Sequence, residues 1–196
     1  MTIRLGKNDR KKITKAQDIY PVMKNILLRS SKHDRNKEHF WVVGLKTCGT
    51  IAYIELIALG TISKTMVSPM EVFSQALQKK TERIILVHNH PSGNLIPSES
   101  DLVITRKLCF AGSFLSVTII DHIIITEESY TSLFNVGFIT AQQKLSNKLS
   151  QQLATFQLED DEFESATAII NLEHASSADQ PAAEPGFSTG KEAGMG

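Results

Sequence analysis

Two histidines one residue apart, His88 and His90, follow directly on the apolar run Arg83-Ile84-Ile85-Leu86-Val87, and an aspartate, Asp101, lies a loop beyond them. Side chains two apart on a strand point to the same side, so both imidazoles leave the sheet together where the chain emerges from it. They can share one ion. The segment 91–97, rich in Pro, Ser, Gly and Asn, lets Asp101 swing back from the first turn of the next helix as a third, oxygen ligand. Three protein ligands leave a fourth tetrahedral position open to water, which marks a catalytic rather than a structural zinc site. The chain has two cysteines, Cys48 in a predicted turn and Cys109 in a predicted helix. They can build neither a disulfide framework nor a cysteine zinc knuckle, so any metal must use histidine and carboxylate.

Each piece also has a plainer reading. Ser98-x-x-Asp101 is equally an N-cap with an acidic residue in the first helical turn. Capping, however, does not require two histidines at a fixed distance upstream. Asp121-His122, between two apolar segments, reads as a hairpin turn or a hydrogen-bonded structural pair in preference to a second metal site. His33, His39 and His174 have no partner at ligand spacing.

Positioning these ligands requires a frame, and hydrophobic periodicity supplies one. Ile19, Tyr20, Met23, Ile26 and Leu27 recur at helical spacing, predicting an amphipathic helix over 16–31, in which Pro21 fits only near the first turn. Segments 38–45 and 51–59 are rich in β-branched and aromatic residues and flank a glycine-containing turn, predicting a hairpin. Ser68-Pro69-Met70-Glu71 combines a capping serine, a first-turn proline and a glutamate three residues after the cap. A helix to about Lys80 follows, with Val72, Phe73, Ala76 and Leu77 turned inward. Residues 83–87 form a short apolar run expected as a buried central strand. A helix over 98–111, strands over 116–120 and 122–126, and a short helix and turn over 127–137 with Tyr130, Leu133 and Phe134 inward complete the pattern. The fold class is α and β together around a central sheet.

The 196 residues, 41% hydrophobic, suffice for one core with appendages. Formal charge sums to zero, but residues 1–140 carry 18 Lys/Arg against 12 Asp/Glu and residues 141–196 carry 3 against 9. The expected organisation is a flexible basic arm over 1–15, a domain over 16–140, and an acidic, largely disordered tail over 141–196 with weak helical periodicity over 144–156. No segment approaches the roughly 20 apolar residues that cross a bilayer. A soluble, cytoplasmic protein without membrane association is expected.

His88-x-His90-Pro91, followed after six residues by Ser98 and then Asp101, resembles the JAMM (MPN+) metalloprotease signature. The string HNHPSGN, with LVITRKL and IIDHIIIT, resembles more narrowly the RadC family of JAMM-domain proteins, historically described as DNA repair proteins. The resemblance covers about 16–140. It implies a JAMM/MPN-like, cytidine-deaminase-like sandwich with a central mixed sheet flanked by helices. It also implies one Zn2+ held by His88, His90 and Asp101, and a hydrogen bond from Ser98 to a developing oxyanion. An upstream glutamate would serve as general base, moving a proton from water to the leaving amine. Glu38, at the opening of the first strand where the RadC-type pattern places it, is favoured over Glu55 in mid-strand.

The activity so implied is hydrolysis of a peptide or isopeptide bond in a peptide or protein substrate. The alternative is a nucleic-acid transaction protein of DNA repair or recombination, to which the basic arm would contribute salt-sensitive, sequence-independent attraction. No helix-turn-helix, zinc-finger or RNP-like pattern supports base readout. A pure interaction module fits less well, because every ligand position is kept. Substrate and oligomeric state are not encoded in these motifs.

Overall fold

The computed structural model describes residues 1–6, 11–60 and 67–154. The acidic run 159–164, the segment 176–196 and His174 lie outside the described residues.

Helix α1, Ala16–Leu28, begins where Asp18 Oδ2 accepts hydrogen bonds from the backbone and hydroxyl of Thr14 and from the Lys15 backbone. It keeps Pro21 inside and is shorter than its periodicity predicts. A single turn, α2 (Lys32–Arg35), leads to the hairpin of β1 (His39–Leu45) and β2 (Ile51–Leu59). Gly49, at φ +87°, takes the left-handed conformation its turn requires. Helix α3 (Pro69–Gln78) is capped by Ser68, whose hydroxyl accepts from the Glu71 N–H. Val72, Phe73 and Ala76 are buried as expected, but Leu77 is half exposed. Strand β3 (Arg83–Asn89), helix α4 (Glu99–Phe114) and strand β4 (Thr118–Ile125) form a crossover unit. Strand β5 (Tyr130–Ser132) and helix α5 (Phe138–Ala154) follow.

The five strands form one mixed sheet in the order β2-β1-β3-β4-β5, parallel only between β3 and β4. Alternation along the strands divides two cores. Trp41, Val43, Ile85, Val87, Ile123 and Ile125 pack under α1 on one face. Phe40, Val42, Ile84, Leu86, Ile119 and Ile124 pack with residues of α3 and α4 on the other. This is the helix-flanked central mixed sheet of a JAMM/MPN-like fold. None of its described helices is long and apolar enough to cross a membrane.

Three expectations are corrected. Residues 116–126 are not two strands with Asp121-His122 at a turn. They contain one strand, β4, interrupted by a bulge: Ile84 pairs with Ile119 but Ile85 pairs with Asp121, leaving Ile120 as the extra residue. The bulge resets the alternation, so that Ile119 and His122 face the same core. The predicted helix over 127–137 is instead β5 and a turn; Leu133 is buried, while Phe134 is half exposed. The described part of the arm is not free, because Ile3 N–H bonds to Ile54 O at 2.8 Å and Ile13 N–H to Gly49 O at 2.9 Å, tying it along β2 and its turn. The free edge of β2 offers unpaired backbone groups, and these segments satisfy some of them. The weak helical periodicity expected over 144–156 falls largely within α5, where the Gln143 side chain donates to Ile119 O at 2.7 Å, and the rest of 141–196 lies outside the described residues.

Candidate metal centre

His88 lies at the end of β3 on the face of Ile84 and Leu86, completely buried, and His90 follows two residues later beyond the last paired position. Asp101 reaches them from the first turn of α4. The His88 and His90 Nε2 atoms face each other at 3.0 Å, and the carboxylate oxygens of Asp101 lie 3.2 Å from His88 Nε2 and 3.4 Å from His90 Nε2. Among the described residues this group can hold a metal ion.

The donor set fits a cation. His90 Nδ1 lies 2.7 Å from the Asn94 carbonyl, which can only accept, so that nitrogen carries the hydrogen and Nε2 presents a lone pair. Two ring nitrogens and a carboxylate held this close together are repulsive unless a proton or a metal ion lies between them. Tetrahedral bonds of about 2.0–2.1 Å to zinc place neighbouring ligand atoms roughly 3.3 Å apart. The three separations of 3.0, 3.2 and 3.4 Å bracket that value.

The electrostatics agree. Burial alone would raise the pKa of Asp101, but hydrogen bonds and charge from His88 and His90, with Ser98, hold it well below the usual carboxylate range. His90 is raised, chiefly by its hydrogen bond to Asp101, with a smaller contribution from the charge of Glu38. Without a metal, a proton on His90 takes the cation's role.

Ser98 is the N-cap of α4, so the plainer reading of Ser98-x-x-Asp101 is true as well. Its hydroxyl accepts from the Asp101 N–H at 3.2 Å and donates to Asp101 Oδ2 at 2.7 Å, while its own N–H donates to the same oxygen at 2.7 Å. The box thereby orients the carboxylate, leaving Oδ1 with His88 as its neighbour. Ser98 itself is exposed at the mouth of the site.

Glu38 immediately precedes β1. Phe40 is paired with His88 across the antiparallel β1–β3 ladder, and continuing that register sets Glu38 level with His90, on the same face. It shares the lining of an opening of about 450 Å³ with Lys37, Gly60 and Pro91. A second opening, about 330 Å³, brings His90 and Pro91 together with Arg35, Asn89 and Glu127. Glu55 sits elsewhere: it pairs with Val42, which is level with Leu86, and its Oε1 lies 3.5 Å from the Met1 amine. It is largely covered. A larger cavity, about 670 Å³, is on the α1 side of the sheet and contains none of the three ligands.

Thr105 and Asn89 escape a motif-based reading, and His122, read from the sequence only as half of a structural pair, joins them beside the site. His122 is fully buried, with Nε2 2.8 Å from His88 Nδ1 and Nδ1 2.6 Å from Thr105 Oγ1. Thr105 is one turn beyond Asp101 on the same helix, a spacing that signals a shared face. Asn89, between the two histidines, bonds to the backbone on both sides of Glu38. Asp121, by contrast, faces away and is structural: it accepts from His122 N, Phe134 N and Ser132 Oγ. Burial raises its pKa despite these donors.

A mixed sheet with two histidines at the end of a central strand and an aspartate across the crossover defines a JAMM-type domain. The chain belongs to the RadC-like JAB domain family, whose model matches residues 13–138. It is similar to a UPF0758 protein of Methanococcoides burtonii, 37% identical over 131 residues, covering 67% of this chain and 55% of that protein. A UPF0758 protein of Desulforamulus reducens is 38% identical over 113 residues, 58% of this chain and 50% of that one. Another, from Chlorobium chlorochromatii, is 34% identical over 134 residues, 68% and 58% respectively. The chain thus spans about half the length of the curated relatives it matches, and their names state no activity.

Proposed function

We propose that this domain is a zinc-dependent amide hydrolase acting on a peptide or isopeptide bond, with His88, His90 and Asp101 as ligands, Glu38 as general base and Ser98 as oxyanion donor. The observation that carries the reading is the convergence of two imidazole nitrogens and one carboxylate, with Glu38 carried to the level of His90 when the β1–β3 register is continued by two residues. When bound, zinc would lower the pKa of a bound water to about 7 and polarise a carbonyl.

The chain's own residues supply the remainder. Glu38 takes a proton from the attacking water as the water oxygen bonds to the carbonyl carbon. The same carboxyl returns that proton to the nitrogen as the C–N bond breaks, giving an amine and a carboxylic acid. Ser98 stands at the exposed mouth; by rotating its hydroxyl from Asp101 Oδ2 it can donate to the carbonyl oxygen as negative charge develops there. Phe40, stacked at 6.2 Å on His88, keeps the inner side of the ligand cluster dry.

A screen of zinc-loaded protein on peptide- and isopeptide-linked substrates tests this reading. Cleavage by the wild type, absent in Glu38→Gln and retained in Glu55→Gln, is the expected result. Full activity in Glu38→Gln with loss in Glu55→Gln would overturn the base assignment, and cleavage independent of zinc would overturn the mechanism.

A further inference from the structure

We propose that Thr105, acting through His122, is a positioning residue that locks His88 in the one tautomer able to bind a metal. The inference rests on the reading of His88 as a ligand, and it follows from counting protons along a buried chain of hydrogen bonds. Thr105 Oγ1 lies 2.5 Å from the Asp101 main-chain carbonyl. Two oxygens this close must have a hydrogen between them, and a carbonyl has none, so the single hydroxyl hydrogen of Thr105 is spent there. At its other side, 2.6 Å away, His122 Nδ1 must then be the donor. A neutral imidazole carries one hydrogen, which leaves His122 Nε2 as an acceptor. His88 Nδ1, 2.8 Å from that atom, must donate to it. His88 Nε2 is consequently a bare lone pair, directed at His90 and Asp101.

Burial makes the lock strict. Thr105, His122 and His88 are all completely enclosed, and Phe40 lies against both rings, with centroids at 6.2 Å from His88 and 5.7 Å from His122. No solvent can lend a proton to relieve a wrong tautomer. The chain also closes on itself, because the carbonyl that fixes Thr105 belongs to Asp101, the third ligand. One turn of α4 therefore presents the carboxylate with Asp101 and sets the imidazole with Thr105. His90 needs no such relay, since Asn94 fixes it directly. Ligating histidines generally donate their second ring N–H to an outer partner, and loss of that partner typically weakens metal binding about 10–100-fold.

The test combines two measurements on the full chain. Long-range 1H–15N correlation spectra of the metal-free protein read the tautomers, and zinc titration against a competing chelator reads affinity. His88 and His122 are expected as Nδ1–H forms in the wild type and in Thr105→Ser. In Thr105→Val, which keeps shape but removes the hydroxyl, both rings should gain Nε2–H population and zinc affinity should fall about 10–100-fold. Wild-type His88 or His122 as Nε2–H would overturn the proposal whether or not the variant folds. So would Thr105→Val with unchanged tautomers, even if its affinity fell, since packing would then be the cause. A wild type with the expected tautomers that takes up no zinc would instead refute the metal reading and leave the lock standing.

Discussion

The side-chain oxygen of Asn89 accepts a hydrogen bond from the His39 backbone N–H at 2.7 Å, tying the residue between the two metal-site histidines to the start of β1. Asn89 also donates to Lys37 O at 3.1 Å, so that it grips the backbone on both sides of Glu38. The strand that carries the imidazoles thus sets the position of the proposed base.

Removing that grip should separate chemistry from metal binding. In Asn89→Ala, zinc stoichiometry is expected to remain that of the wild type, while kcat for amide cleavage falls on the order of 10²-fold, the cost of displacing a reacting group by about 1 Å. The orphaned His39 N–H should also cost roughly 1–3 kcal/mol of stability, readable by urea denaturation. A fall confined to KM would contradict the positioning role.

Ser98 caps α4 and is proposed to donate to the oxyanion, and Ser98→Ala should reveal both. Loss of an oxyanion donor typically costs about 10²–10³ in kcat. Loss of the cap on α4 costs about 1 kcal/mol. The variant should therefore be folded, zinc-loaded and slow, with a slightly lowered melting temperature. Activity measurements beside metal analysis check this.

Acidity should act through His90. Zinc must displace the proton there, so affinity is expected to fall about tenfold per pH unit below the pKa of His90. Because Asp101 raises that pKa above 6.5, the loss begins at a higher pH than for a free histidine. The metal-free chain behaves oppositely. His90, raised on folding, contributes stability in full below its unfolded value near 6.5 and loses it as pH rises through the folded pKa. Asp101, lowered on folding, contributes above its unfolded value near 3.8 and loses it as pH falls. The stability advantage of metal-free wild type over His90→Gln should thus be greatest between about pH 4 and 6.5 and shrink above it. Thermal melts of the two proteins across that range measure it.

Asp121 should matter for folding alone. Its carboxylate ties His122, Ser132 and Phe134 together across β4 and β5. Asp121→Ala leaves buried donors without a partner, at roughly 1–3 kcal/mol for each group so stranded. Denaturant midpoints should drop, while the protein that remains folded binds zinc.

Much of this site was legible because its chemistry is local in sequence. His88 and His90 are two apart on a strand, and Ser98 and Asp101 share one helical turn, so spacing alone aligns them. Ser68-Pro69-Met70-Glu71 marked its helix for the same reason. What escaped notice depends on contacts between distant elements. His122 faces His88 only because Ile120 bulges out of β4, and a polar pair between two apolar runs marks a bulge and a turn equally well. Residues 130–132 resemble a helical segment until β4 offers them an edge, and the basic arm resembles a free terminus until β2 does the same. Asn89 carries no signal in the sequence because its partners are backbone atoms about 50 residues away.

The central claim is that His88, His90 and Asp101 jointly hold one ion, and zinc titration with metal analysis tests it most directly. Wild type should bind one zinc per chain, and His90→Ala and Asp101→Ala should each lose it while remaining folded by circular dichroism. Equal zinc binding by the wild type and both variants, or none by any of them, would contradict it.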